Sequence, residues 1–302
     1  MGDYVVDIKG ISKRFGRVEA LKNIDLGVCR GELFGIIGPD GAGKTTLFRI
    51  LTTLIVADGG TALVNGNDVA KDIGKIRSSV GYMPGRFSLY PDLTVEENLA
   101  FFASLFGVDA DTNYEIIAPI YDKLKPFAKR RAGKLSGGMK QKLALSCALI
   151  HNPEIVFLDE PTTGVDAVSR REFWDILERL KHRGITIVVS TPYMDEASRC
   201  DRIALINQGE IMSTGTVSEL LSMFQYRLYA VSADNMYRLL HQLRNIQGIE
   251  GCYPFGSSHH LITKQEIDVD RCLSQLTAAG LRDINMRMVQ PTVEDLFITL
   301  MH

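Results

Sequence analysis

Residues 38–45 read GPDGAGKT, a glycine followed five positions later by Gly-Lys-Thr. That spacing suits a polyphosphate. Gly38, Gly41 and Gly43 let the backbone bend into left-handed conformations and bring its N–H groups against phosphate oxygens, with Pro39, Asp40 and Ala42 completing the loop. Lys44 can neutralise β- and γ-phosphates, and the Thr45 hydroxyl, beside Thr46, can ligate Mg²⁺. A second cluster, IVFLDEP at residues 155–161, sets two acids at the end of an apolar run. Asp159 suits a metal, and Glu160 suits proton abstraction from an attacking water; adjacent acids at a strand end also serve capping or solvation. A third stretch, LSGGMKQ at residues 135–141, reads alone as a turn with Ser136 capping a helix.

These groups need a scaffold that brings them to one edge. Residues 33–37, 155–158 and 185–189 are near-continuous apolar runs, the kind that form strands of a sheet covered on both faces. Residues 45–54 follow the glycine loop as a helix, the context that the phosphate motif requires. Phe173, Ile176, Leu177 and Leu180 form one helical stripe, with Asp166 as N-cap, Lys181, His182 and Arg183 at its basic end, and Gly184 to stop it. Strands alternating with helices indicate an α/β class. Beyond about residue 225 the pattern changes. It reads strand (227–231), helix, strand (251–255), strand (260–263), helix, strand (284–289) and a short helix from Thr292, a βαβ unit written twice that indicates a small α+β ferredoxin-like domain. The organisation is therefore residues 1–220 and 226–302.

The chain has 302 residues, 45% hydrophobic and 23% charged, with net charge −2. It can build substantial cores, and bulk charge offers no argument for nucleic acid as a partner. Its five cysteines, at 29, 147, 200, 252 and 272, lack metal-site spacing and read as free thiols of a reducing compartment. No run approaches the roughly 18 apolar residues of a membrane span, so a cytoplasmic location is expected, with membrane contact made through a partner.

With LSGGMKQ lying between the phosphate loop and IVFLDEP, residues 1 to about 220 resemble the ABC (ATP-binding cassette) ATPases. The resemblance implies a P-loop fold, a mixed sheet core plus a helical subdomain, that binds ATP and Mg²⁺, with Lys44 and Glu160 catalytic and Thr45 and Asp159 at the metal. It implies that Phe15, in ISKRFG, stacks on adenine; a core phenylalanine is the alternative. Asp166, in GVD at residues 164–166, would lie in the loop that crosses to a partner subunit. Two subunits, in a homodimer or with a related ATPase, would pair head to tail, so that Ser136, Gly137 and Gly138 of one close over the nucleotide held by the other.

Two positions depart from that pattern. In GYMPGRFSLY, at residues 81–90, Gly85 stands where the family usually has a glutamine, and neighbouring Arg86 offers no acceptor to a cation. In STPYMDEA, at residues 190–197, Pro192 stands where the family usually has a γ-phosphate-binding histidine, at the junction of a strand with an expected helix. ATP binding and ATP-driven closure with slow or atypical hydrolysis are expected, with Thr191 a weak candidate to replace the missing contact. The closing QPTVEDLFITLM and the overall layout are most similar to bacterial export ATPases that energise a separately encoded membrane permease, peripheral on the inner face of the membrane. A catalytically weak, ATP-gated subunit beside a competent ATPase is one alternative, and a soluble ATPase acting on ribosomes or DNA is another. Residues 88–121 read as a leucine- and phenylalanine-rich helix that either docks the permease or fills the core. The C-terminal domain either stabilises a dimer passively or regulates it.

Overall fold

The computed structural model describes residues 4–86, 88–109 and 113–301. The chain divides after Val217 into two compact units. The first opens with strands β1 (Tyr4–Phe15) and β2 (Val18–Cys29), a hairpin in which alternate residues such as Val6 and Ile8 turn inward. β3 (Leu33–Ile37) is buried throughout and leads into α1 (Lys44–Leu51). β4 (Gly59–Val64), β5 (Asn67–Asp68), α2 (Ile73–Ser79) and β6 (Val80–Met83) follow. The helical region holds α3 (Val95–Leu105), α4 (Tyr114–Tyr121) and α5 (Gly137–Leu149). β7 (Ile155–Asp159), α6 (Ala167–His182), β8 (Thr186–Thr191), β9 (Arg202–Asn207) and β10 (Glu210–Gly215) complete it.

Two sheets result, one ordered β2-β1-β4-β5 and one ordered β10-β9-β3-β8-β7-β6. In the second, β6, β7, β8, β3 and β9 run parallel, and β10 closes its edge antiparallel. Strand alternation divides the interior. Ile155 and Phe157 of β7 pack towards the first sheet and α1, where Phe157 meets Phe48 edge-on at 5.6 Å. Val156 and Leu158 pack on the other face, with Leu143 of α5 and Trp174 of α6. The continuous apolar runs of β3, β7 and β8 are what a strand covered on both faces requires.

Several elements differ from the sequence reading. The helix expected over 45–54 ends at Leu51, because Thr53 turns left-handed (φ 62°) and Arg77 bonds both its hydroxyl and its carbonyl at 2.9 Å. The single helix expected over 88–121 is two. α3 starts on a Thr94–Glu97 capping box, and left-handed Gly107 (φ 67°) lies just past its end. After Pro192 comes only a short 3₁₀ turn, Met194–Arg199.

Beginning in the helix α7 (Val217–Ser222), the chain enters the second unit, which reads β11 (Arg227–Ser232), α8 (Met236–Leu243), β12 (Ile249–Phe255), β13 (Ser258–Thr263), α9 (Val269–Ala278), β14 (Asn285–Met288) and α10 (Val293–Leu300). Its sheet order, β12-β13-β11-β14, is antiparallel throughout, the arrangement of a ferredoxin-like βαββαβ unit. Leu239 and Leu243 of α8 and Cys272 and Leu276 of α9 supply the expected helix stripes to its core. Asp295 of α10 is fully buried there. It accepts hydrogen bonds from the Tyr253 hydroxyl at 2.6 Å and from the Thr292 N–H at 2.7 Å, and lies 2.5 Å from His260 Nδ1. All five cysteines are free thiols. Among the described residues, no helix is long and apolar enough to cross a membrane.

Candidate functional site

The glycine loop joins the C-terminal end of β3 to α1 and is held close to its surroundings. A Cβ on Gly38 would meet the Ile206 carbonyl oxygen at 2.0 Å, and Gly43 sits at φ 109° with its Cβ position 2.6 Å from the Ala20 carbonyl, so neither tolerates a side chain. Gly43 is also the N-cap of α1, and among the described residues no side chain caps the amides of the first turn. Those donors, on the positive end of a helix, remain for an anion. Lys44 is buried, its Nζ donating to the carbonyls of Gly38 at 2.8 Å and Pro39 at 3.0 Å.

The two acids arrive on the adjacent strand end. Asp159 is buried and accepts from Ser190 Oγ at 2.7 Å through Oδ1, leaving Oδ2 without a hydrogen-bond partner among the described residues. Beneath it, burial and then the Asp159 charge push the Tyr82 phenol up to about 12. Glu160 Oε1 stands 3.1 Å from Lys44 Nζ. Its N–H bonds Ser190 twice, to the carbonyl at 3.1 Å and to Oγ at 3.0 Å.

Of these residues, Gly43, Lys44 and Glu160, with Gly41, Thr45 and Thr46, line one cleft of about 560 Å³, while Gly38 and the buried Asp159 do not. Val18, Glu19, Ala20, Lys22 and Gln208 line it too, and sequence reasoning missed them. They arrive through backbone bonds that no spacing reveals: Lys22 N–H to the Gly209 carbonyl at 2.8 Å, and Gly209 N–H to the Ala42 carbonyl at 3.0 Å. The donor set suits a nucleotide with a hard divalent cation. No group of three His, Cys, Asp or Glu able to hold a metal occurs among the described residues, so Mg²⁺ here would use Thr45 and Asp159 and take its other ligands from phosphate and water.

The remaining expected residues lie outside this cleft. Phe15, at the end of β1, is 49% exposed, which overturns the core alternative, and Lys13 Nζ stands over its ring 5.5 Å from the centroid. Ser136 caps α5 by accepting from Met139 N–H at 3.4 Å. Gly138 packs α5 on α6 so tightly that a Cβ would lie 2.8 Å from Ser169 Cβ, and the Cβ position of Gly137 lies 3.4 Å from the Gly164 carbonyl. Asp166 caps α6 as expected, accepting from Val168 and Ser169 N–H at 3.1 and 2.9 Å; the Ser169 bond is the main reason its carboxyl titrates low.

Of the two departures, Gly85 sits against Asp159. The Cβ position of Gly85 is 3.0 Å from the Asp159 carbonyl oxygen and 3.8 Å from its carboxylate carbon, yet glycine brings no acceptor there. Pro192 follows the last residue of β8. Thr191 does not replace the missing histidine: it is fully buried, its hydroxyl donating to Glu196 and accepting from Tyr193 N–H at 3.1 Å.

A second cavity, of about 580 Å³, opens between β6, α3 and α5. Met83, Pro84, Leu89, Phe102, Leu105 and Phe106 give it an apolar wall. His151, stacked on Phe106 at 3.7 Å, has its imidazole pKa pushed down by burial. The 88–121 segment fills the core through Leu99, Ala103, Ile117 and Ile120, as one of its two readings expected, while Phe102, Leu105 and Phe106 line the groove.

A family model described as ABC transporter matches residues 21–163. The chain is 38% identical, over its whole length, to the Escherichia coli (strain K12) "Probable multidrug ABC transporter ATP-binding protein YbhF", and spans about half (53%) of that relative. It is 30% identical to the linearmycin resistance ATP-binding protein LnrL of Bacillus subtilis (strain 168), with 98% of each chain covered. Among solved structures, a dimeric post-hydrolysis state of the ATP-binding cassette MJ0796, bound to ADP and Pi, superposes with a TM-score of 0.63 at 27% identity, covering 70% of this chain and 98% of that one.

Proposed function

This chain belongs to the ABC transporter ATP-binding family, and we propose that it binds and hydrolyses ATP to energise export through a separate membrane permease. The observation that carries this reading is the meeting of Lys44 and Glu160 in one cleft at the N-terminus of α1, with the buried Asp159 directly before Glu160 on the same strand end. Lys44 and the loop amides hold the phosphates, Phe15 stacks on the adenine, and Glu160 takes a proton from the attacking water. Thr45 and Asp159 would hold Mg²⁺, which would supply positive charge to the β- and γ-phosphates.

Within one chain, the Ser136–Gly138 turn lies outside this cleft. Head-to-tail pairing accounts for that: the turn of one subunit closes over the nucleotide of the other and presents a second helix N-terminus to the γ-phosphate. The partner is a second copy or a related ATPase. The apolar groove walled by Phe102, Leu105 and Phe106 fits a cytoplasmic helix of the permease, which would hold the chain at the inner face of the membrane. Nucleic acid has no part in this reading.

Gly85 and Pro192 favour one specific variant, in which ATP drives closure efficiently and hydrolysis is slow. Loss of a preorganised polar contact beside a transferring group typically costs about 10²–10³ in rate. The test is ATP turnover of the purified chain with and without its co-expressed permease, beside ATP-dependent dimerisation of Glu160→Gln by size exclusion. We expect slow, permease-stimulated turnover in the wild type and an ATP-stabilised dimer in the variant. A wild-type chain that neither binds ATP nor pairs overturns the reading.

A further inference from the structure

Glu160 occupies left-handed backbone space, φ 49°. A glutamate holds such a conformation only where its surroundings over-determine it. On one side the restraint is Ser190, whose Oγ accepts from Glu160 N–H and donates to Asp159. On the other side the restraint comes from a carboxylate in the 3₁₀ turn after Pro192. Glu196 is 3% exposed. Its Oε1 accepts from the Thr162 hydroxyl at 2.9 Å, and its Oε2 accepts from the Thr191 hydroxyl. Thr162 lies in the turn that starts at Glu160, closed by Thr163 N–H donating to the Glu160 carbonyl at 3.2 Å. Thr191 ends β8, and it also holds Tyr193 N–H, directly after Pro192. A single buried side chain thus ties the end of β8 to the turn that carries Glu160. The guanidinium of Arg170 stands 4.0 Å from Oε1, so the two hydroxyls are the close donors to this carboxylate.

We propose that Glu196 is a positioning residue for Glu160, a role that rests on the ATPase reading above. It touches neither the cleft nor the expected phosphate groups. It acts by fixing the turn from which the Glu160 carboxylate projects, at the point where Pro192 contributes no polar side chain. The effect belongs mainly in turnover, because the glycine loop meets the braced strand end through one backbone bond, Gly38 N–H to the Thr191 carbonyl at 3.3 Å, and Lys44 keeps the Gly38 and Pro39 carbonyls as partners beside Glu160.

The test compares wild type, Glu196→Ala and Glu196→Gln by three readouts: ATP turnover, apparent KM for ATP, and amide exchange at Glu160 and Thr163. For Glu196→Ala we expect kcat to fall about 10- to 100-fold with KM within about twofold, as a small displacement of a reacting group produces. Exchange at the two amides should quicken at least about tenfold. Glu196→Gln, which keeps an acceptor for one hydroxyl and gains a donor for the other, should restore kcat to within about threefold of wild type and restore protection. Unchanged kcat in Glu196→Ala, a parallel loss of affinity and turnover, or no rescue by glutamine overturns the proposal. If the wild type itself shows no turnover, the ATPase reading fails, and exchange alone decides the brace: unchanged protection at Glu160 and Thr163 overturns it, and faster exchange sustains it.

Discussion

Gly138→Ala separates the geometry of the Ser136–Gly138 turn from its composition. A methyl group at 138 would lie 2.8 Å from Ser169 Cβ and 2.7 Å from Ser169 Oγ. The hydroxyl can rotate away, but Ser169 Cβ is fixed to the backbone of α6. Reaching the 3.4 Å where ordinary contact begins requires α5 and α6 to part by about 0.6 Å, the difference between 3.4 and 2.8 Å. Overpacking of that kind costs about 1–3 kcal/mol, and the better helix propensity of alanine offsets about 1 kcal/mol at most. Net destabilisation is then about 1 kcal/mol, a fall of roughly 2–4 °C in Tm for a unit of this size. The functional loss should be larger. Ser136 rides on the same helix end, and displacements of this order at a reacting site cost up to about 10² in rate. We expect ATP-dependent dimerisation and turnover to fall at least about tenfold while ATP binding to the isolated chain is retained. The double variant Gly138→Ala/Ser169→Gly removes the opposing Cβ and should recover most of both losses. Full ATP-dependent pairing in Gly138→Ala, or no recovery in the double variant, would refute the argument that close helix approach is why residue 138 is a glycine.

If residue 192 faces the γ-phosphate, as the proposed reading holds, Pro192→His should raise turnover by up to about 10², measured as steady-state phosphate release, by restoring a polar group there. Gly85→Gln should gain less by the same assay, since its Cβ, 3.0 Å from the Asp159 carbonyl oxygen, needs that strand end to yield by a few tenths of an ångström. Asp295→Asn should destabilise the second unit by about 3 kcal/mol, read by denaturant unfolding, because it breaks a buried network fed by Tyr253, His260 and Thr292. Burial alone would raise the Asp295 pKa, but the bonds from Thr292, Tyr253 and His260 outweigh it and hold the carboxyl below its ordinary 3.8. The folded value lies below the unfolded one, so this stabilisation is fully present above about pH 4 and is lost as pH falls through the folded value; amide exchange of α10 between pH 7 and pH 3 checks it. Phe106→Ser should abolish copurification with the permease while leaving ATP binding unchanged, because Phe106 walls the apolar groove and does not line the nucleotide cleft.

What could be read from the sequence was chemistry confined to one segment. Residues 38–45 make their own turn and start their own helix, so residue type and spacing suffice. The stripes of α6, α8 and α9 repeat at helical period and were equally legible. Groups whose meaning comes from distant chain were not. Val18, Lys22 and Gln208 reach the cleft because β2 and the β9–β10 turn lie against the glycine loop, a contact that spans 188 residues between Lys22 and Glu210. The Asp295 network is assembled over separations of 35 residues to His260 and 42 to Tyr253.

Thr191 shows the limit most directly. Its hydroxyl lies beside the missing histidine in sequence, and adjacency made it a candidate. Whether a hydroxyl is free depends on what else claims it, and the claimant, Glu196, is five residues away on a turn whose 3₁₀ geometry the local pattern does not distinguish from a helix start. Glu160 and Glu196 pose the same problem as a pair. Each is a glutamate following a buried strand, and composition cannot rank them. Their environments do: Glu160 turns its carboxylate to Lys44 and the cleft, while Glu196 spends both oxygens on threonine hydroxyls at 3% exposure. Glu160 Oε2 also accepts from the Thr163 hydroxyl, at 3.4 Å, so engagement alone does not rank the two; access does, because Glu160 lines the cleft and Glu196, at 3% exposure, does not. In the proposed ATPase the glutamate that lines the cleft acts as the base, and the sealed one acts by holding the other's turn in place.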